Sequence, residues 1–319
     1  MATIPLRGAT GFNAVEDKGT YDRILLDRAV PQFVHGKFGM KKSIPARGGT
    51  WVEWRRVEYI TASTTAVTEG TVTTEFVPTV TKTVGTVAQY AQFMRGTDLV
   101  DEQSYDPLLA EFTEALGDTM ADSIDQLTRN VLVADGTVQY ASTATTRATV
   151  GSGMRMTSAE LREAVATLET NNAKTINGVF PAIIHTRVKY DLFGDSNIVN
   201  AFQYAADRGG NNPLLTGTLG QYMGIEFYPT SNAKIQASLG LSGADVYVTM
   251  LFGKDSYGVL DLSMESARTY FKPKGSGGAT GDPVDQVWSL GYKFAHACAV
   301  LNSTWYVRIE HTAALGTGG

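Results

Sequence analysis

The chain has 319 residues, of which 43% are hydrophobic and 18% charged, and its net charge is −5. That length and apolar fraction sustain one large or two ordinary domains with a real core and exclude a disordered chain. The charge balance gives no general pull toward nucleic acid or an anionic membrane, and no run of about 18 apolar residues is present to cross a bilayer as a helix.

From the N-terminus, residues 1–50 read as an arm. They carry eight Lys or Arg, Lys37, Lys41 and Lys42 among them, against four acids, a local basic excess inside an acidic chain. Thr20 can cap a short helix over YDRILLDRAV that ends at Pro31, and KKSIPARGGT reads as turn-rich linker. No apolar h-region occurs in the first 23 residues, so no secretion signal is expected. With Cys298 the only cysteine, there is no intrachain disulfide, and a cytosolic protein is expected. Within HACAVL that cysteine reads as a small buried hydrophobe.

WVEWRRVEYI, residues 51–60, alternates as a strand does, yet anchors and charges occupy both faces. TVTKTVGTVAQYAQFM, residues 79–94, reads as its partner, with a turn at TEGT between them. The expectation is one hairpin over 50–94, with legs of about 15 residues reaching roughly 50 Å at about 3.3 Å per residue. A two-stranded ribbon is barely stable alone in water, so a neighbouring subunit is expected to cover it. Trp51, Trp54, Arg55, Arg56, Tyr59, Tyr90 and Phe93 are the expected contact residues, being of types that anchor interfaces. Arg55 and Arg56 with two tryptophans could also bind phosphate and bases, but Glu53 and Glu58 interleave with them and would repel phosphate.

Next, residues 106–136 place Leu109, Phe112, Leu116, Met120, Ile124, Leu127 and Val131 three or four apart, one stripe of a helix about 40 Å long that stops at Gly136. A polar loop is expected over 137–156, then a helix capped by Thr157 or Ser158 and buried through Leu161, Val165 and Leu168. GVFPAIIHT, MGIEFYPT, ADVYVTMLFG and SYGVLDLS read as strands, RVKYDLFGD as a helical turn, and residues 283–311 as one or two long closing strands. Helices and strands do not alternate regularly, so the class is α+β.

A search for chemistry finds little. The four histidines are scattered and read as satisfied polar or interface residues, without the four ligands of a zinc site. GSGGATGDP lacks the ending of a phosphate-binding loop and has Pro283 where a helix should start, and there is no nucleophile elbow. Asp118, Asp122 and Asp125 lie beside the apolar stripe of the long helix and read as a solvated flank. No cofactor, no metal and no catalytic residue is expected.

The order arm, long hairpin, long helix, mixed domain and closing strand resembles the major capsid proteins of tailed bacteriophages, in particular the phage N-four-like family. The strings that carry the resemblance are WRRVEYI…TEGT, VAQYAQF leading into TDLVD, the helix to VLVADGT, GQYMGIEFYPT and DQVWSLGYKFAHACAVLNSTWYVRIE, between about residues 12 and 312. It implies the Hong Kong 97-like fold, an α+β fold divided into an N-terminal arm (1–49), an E-loop (50–94), a peripheral domain with a spine helix (95–177), an axial domain (178–255) and a return to the peripheral domain with C-terminal strands (256–319). It further implies hexamers and pentamers that close an icosahedral shell, in a virion assembled in the host cytoplasm. The implied partners are other copies of the chain, a separate scaffolding protein, a portal protein, a decoration or cement protein, and packaged double-stranded DNA touched without sequence preference, with no membrane. Lys37, Lys41 and Lys42, from the arm's basic excess, would then either face DNA on the inner surface or pair with acids on the underside of neighbouring subunits. The shell of an encapsulin-like nanocompartment shares the fold and is the alternative, and a solitary binding domain with a β-arm is a third reading.

Overall fold

The computed structural model describes residues 34–43, 49–58, 60, 62–64, 66–70, 72, 75–97, 108–207, 219–260, 267–273 and 286–315. The expected arm helix, the glycine-rich stretch and Tyr59 lie outside these residues.

The centre is a seven-stranded sheet. Its strands are β5 (Thr137–Tyr140), β6 (Phe180–His185), β7 (Gln221–Tyr222), β8 (Ile225–Thr230), β9 (Ile235–Gln236), β10 (Val246–Phe252) and β15 (Tyr306–His311). They run in the order β5-β15-β10-β6-β8-β7, with β9 also pairing β10. Every residue of β6, β10 and β15 is buried. β6 and β10 accordingly read as near-continuous apolar runs, whereas β15 buries Arg308 and Glu310 among its apolar residues. One face packs Leu161, Leu168, Ile184, Leu251 and Ile309 beneath the helices α2 (Ser158–Thr170), α3 (Thr186–Gly194) and α4 (Ser196–Asp207). Val248, Met250 and Tyr306 pack with Leu132 in a second cluster.

Leu132 belongs to α1 (Leu108–Ala134), the long helix, which joins this sheet to a smaller one. The smaller sheet has the order β12 (Ala267–Lys272), β13 (Val287–His296), β4 (Ala88–Thr97). Leu116, Met120 and Ile124 pack against Trp288, Leu290, Tyr292 and Phe294 of β13. The expected stripe ended on Val131. Steps of four from Leu116 lead instead to Thr128 and Leu132, and both are fully buried. Thr157 caps α2 in a capping box with Glu160, whose carboxylate accepts from the Thr157 backbone at 3.0 Å.

Several local expectations change. The hairpin ladder runs only between β2 (Trp51–Val57) and β3 (Val80–Thr86), seven residues a leg and not fifteen. The chain after Thr86 leaves the hairpin, because all ten residues of β4 pair with β13. The loop expected over 137–156 begins with β5, held parallel to β15. The closing segment forms three strands, β13, β14 (Cys298–Val300) and β15. The strand β12 and the helix α4 were not expected at all. A third sheet, β1 (Met40–Lys42), β11 (Tyr257–Leu260) and β14, ties the arm to the body.

Two histidines are buried where these layers meet. His296 faces Thr128 of α1 at 3.2 Å, and His311 faces Thr249 of β10 at 3.0 Å. Burial pushes the pKa of each down to about 4. The unfolded chain protonates them near the usual 6.5, so their neutral burial favours folding fully above that pH and progressively less as pH falls toward about 4. The pKa differences correspond to about 3 kcal/mol for each. The melting temperature should therefore fall between pH 6.5 and 4, and His296→Gln should flatten that fall when thermal melts are compared across the range.

Candidate intersubunit surface

The opening alternation resolves once β2 is paired. Its even face turns inward. Val52 and Trp54 are each only 3% exposed and pack with Leu260, Ala297 and Ala299. The indole lies against two glycines. A Cβ on Gly258 would come within 2.4 Å of the Trp54 ring, and one on Gly85, which pairs with Val52 across the ladder, within 2.8 Å. Trp54, expected to reach a neighbour, is thus already buried inside its own chain. The signal for this was not in the strand itself but in two distant glycines that leave room for an indole.

The odd face turns outward and keeps the expected mixture. Trp51 is 49% exposed, with the Lys82 ammonium 5.2 Å from its ring centre. Glu53 takes Arg55 at 2.5 Å and Lys82 at 2.7 Å, and those two hydrogen bonds, Lys82 first, hold its carboxyl below the usual range. Arg56 stands 3.8 Å from Glu58. The interleaved acids therefore neutralise the arginines, which disfavours a phosphate-binding reading. Farther along β4, Tyr90 stacks on Phe294 with ring centres 5.5 Å apart, and Phe93 is 61% exposed under the Arg95 guanidinium.

Beyond the ladder the hairpin exposes Ile60, Val67, Val72, Phe76 and Val77, and the ladder itself exposes Val57, Val80 and Val84. Apolar side chains left uncovered in such density mark a surface that another molecule covers.

The arm is fixed by a residue that sequence reasoning placed on a solvated flank. Asp125 of α1 is buried and accepts from the backbone of Val34 at 3.0 Å and of His35 at 2.8 Å, and its second oxygen meets His35 Nδ1 at 2.8 Å. Burial pushes the Asp125 carboxyl up, but His35 and the two backbone N–H groups outweigh it and hold the pKa below the usual range. Tyr257 donates to the His35 carbonyl, and β1 then runs parallel to β11 with Met40 opposite Gly258. Lys37 lies over the Tyr228 ring at 4.6 Å, Lys42 donates to the Glu53 carbonyl, and Lys41 is exposed. Among the described residues none of the three pairs with a carboxylate, and no group of His, Cys, Asp and Glu is arranged to hold a metal ion. Burial raises the Cys298 thiol to about 12, so it is not a nucleophile at neutral pH.

A long helix laid across two sheets, a projecting hairpin at one root and an arm clamped at another define the Hong Kong 97-like fold of viral shell proteins. The model of the family described as phage capsid protein matches residues 79–309, and the chain belongs to that family. Among solved structures, the capsid of cyanophage P-SCSP1u is similar at a TM-score of 0.66 with 15% identity, covering 88% of this chain and 89% of that one. The capsid of Ralstonia phage GP4 is similar at 0.67 with 14% identity, covering 88% of each chain. The capsid of cyanophage Pam1 is similar at 0.66 with 16% identity, over 99% of this chain and 100% of that one. At these identities the structures speak to the fold. No curated protein shows significant similarity to the chain.

Two outcomes follow for the subunit. Trp54→Ala should cost about 3–5 kcal/mol of folding stability, a cost of core truncation that appears as a lowered melting temperature of the unassembled subunit. Asp125→Ala leaves His35 and two backbone N–H groups without their acceptor. At about 1–3 kcal/mol for each such group it should free the arm, read as faster proteolytic cleavage before residue 43 while the body stays folded.

Proposed function

We propose that this structural capsid protein is the repeating subunit of an icosahedral shell, forming hexamers and pentamers around double-stranded DNA. The family match supports the capsid role, and the uncovered apolar surface of the hairpin is the observation that carries the assembly reading. That surface suits a chain that reaches its stable state only among copies of itself. In this reading the arm is 1–49 and α1 is the spine helix of a peripheral domain over 95–177. The axial domain is 178–255, and 256–319 returns to the peripheral domain. The E-loop is drawn back from 50–94 to the ladder and its distal residues, since β4 belongs to another sheet. Trp51, Arg55, Arg56, Tyr90 and Phe93 contact a neighbour, whereas Trp54 supports that contact from beneath. Lys37, Lys41 and Lys42 keep the inner lining less acidic than the outer surface, which suits transient contact with dense DNA. The protein has no catalytic role. It works with a separate scaffolding protein, a portal and a decoration protein, and assembles in the host cytoplasm. No observation favours the encapsulin alternative.

The test is assembly. Co-expression with a scaffolding partner should give closed particles in negative stain. Trp51→Ala and Phe76→Ala remove exposed side chains, so subunit melting should change by less than about 0.5 kcal/mol. Loss of an interface anchor commonly costs about 2 kcal/mol, repeated at every contact in the shell, so particle yield and heat stability should fall. Monomeric behaviour of the wild-type chain at micromolar concentration under all assembly conditions would sink the reading.

A further inference from the structure

The arm touches two elements that also meet each other elsewhere. Asp125 of α1 holds Val34 and His35, and a few residues on the arm reaches β8. There Phe38 packs edge-on against Tyr228, with ring centres 4.8 Å apart and the planes at 61°, and the Lys37 ammonium lies 4.6 Å from the same ring. Residues 34–38 thus reach from the long helix to β8 with at most about 16 Å of chain.

The helix and the strand meet again just past the end of β8. The strand ends at Thr230, and the turn that follows is returned to α1 by Asn232. The Asn232 side-chain amide donates to Asp122, and its carbonyl accepts from the Arg129 guanidinium at 2.6 Å. Its backbone N–H donates to the Thr230 hydroxyl at 3.1 Å, which ties the turn back to the strand. On the helix these grips are close together, since Asp122 to Arg129 covers two turns, about 10 Å at 1.5 Å per residue. Burial lowers the Arg129 pKa, and the carboxylates of Asp125 and Asp122 act against that, so one guanidinium interacts with the acid that grips the arm and the acid that grips the turn. The contacts close a ring from α1 to the arm, from the arm to β8, from β8 to the turn at Asn232, and back to α1. Around such a ring each contact holds the partners of the next one together, so the contacts reinforce one another and are lost together.

We propose that residues 34–38 are a latch between α1 and β8. Seated, they lock the helix against the strand, and lifting them also loosens the turn at Asn232, whose own bonds go to α1 and to Thr230. The position of the arm is then felt inside the central sheet, because β8 pairs with β6 along its whole length. The latch belongs to the single subunit and does not depend on the shell reading.

Hydrogen exchange and limited proteolysis of the unassembled chain test it. Phe38→Ala should raise amide exchange over residues 231–236 about fivefold or more, and Lys37→Gln should do so more weakly, although the bonds of that turn go elsewhere. Asp122 is exposed, so Asp122→Ala should fold normally, and through the loosened turn it should speed cleavage before residue 43 about fivefold. Phe38→Ala combined with Asp122→Ala should raise exchange in the turn by clearly less than the product of the two separate factors, because both open the same ring. Exchange in β6 and β10, whose residues are all buried, should stay at the wild-type rate. Arm variants that leave the turn within about twofold of wild type, an Asp122→Ala chain whose arm is cleaved at the wild-type rate, factors that multiply in full, or a rise that spreads through β6 and β10 would each overturn the latch.

Discussion

The indole of Trp54 holds the root of the hairpin that projects from this subunit. It is closed between Gly85 of the hairpin and Gly258 of the body, and any side chain at either glycine would occupy its place. A two-stranded ribbon has no stability of its own to spare. Anchored at one buried aromatic, it gains a fixed direction without needing a third strand, and its far end remains free to lie on another molecule. The division of labour along β2 follows from that anchor. The even residues Val52 and Trp54 hold the hairpin down, and the odd residues form the outer face, where Glu53 ties Arg55 and Lys82 into one cluster.

Gly258 takes part in a second attachment as well. Its strand β11 pairs with β1 of the arm, and its neighbour Tyr257 donates to His35, which Asp125 grips from the long helix. Arm, hairpin and helix therefore meet around one short strand. A carboxylate buried in such a place is costly unless it is well hydrogen-bonded, and Asp125 accepts from two backbone N–H groups on one oxygen and meets an imidazole with the other. The geometry makes the arm's exit point a property of α1. A shift of the helix relative to the sheets would carry the arm with it, because the bonds are short and buried and not a solvated pair that could lengthen at little cost.

Most of the body was legible in the amino-acid sequence for a simple reason: dense apolar periodicity survives without knowledge of partners. The helix expected within 106–136 is Leu108–Ala134, and β6, β8 and β10 fall inside the runs that suggested them. What was illegible depended on residues far away in the chain. Trp54 and Trp51 look alike within WVEWRRV, and only the glycines at 85 and 258 separate a core residue from a surface one. Asp125 looks like Asp122, one helical turn earlier, until His35 arrives from 90 residues away. Strand β5 has four half-buried residues and owes its existence to the edge offered by β15. The long hairpin was overdrawn because strand-like sequence continues past Thr86 into VAQYAQFM, and period alone cannot tell which sheet a strand joins.

The buried and the exposed ionisable groups of this architecture serve different ends. The described ionisable groups that are buried are spent on joining elements. Arg147 bonds Glu310 at 2.7 and 2.8 Å across the end of the central sheet, Glu160 caps α2, and Asp125 clamps the arm. None converges on an open cavity with a nucleophile or a second titratable partner, the arrangement general acid–base work requires. The exposed groups follow the opposite rule, with apolar and charged residues crowded onto the hairpin far beyond what a solitary domain tolerates. A chain that spends its buried charges on internal joints and its exposed surface on unsatisfied contacts is built to be completed by its neighbours. The same logic explains why the contact surfaces sit on the projections. Each projection is rigid at its root, where a few buried side chains fix it, and uncommitted at its tip, where many weak contacts repeated over a closed shell can sum to a stable assembly.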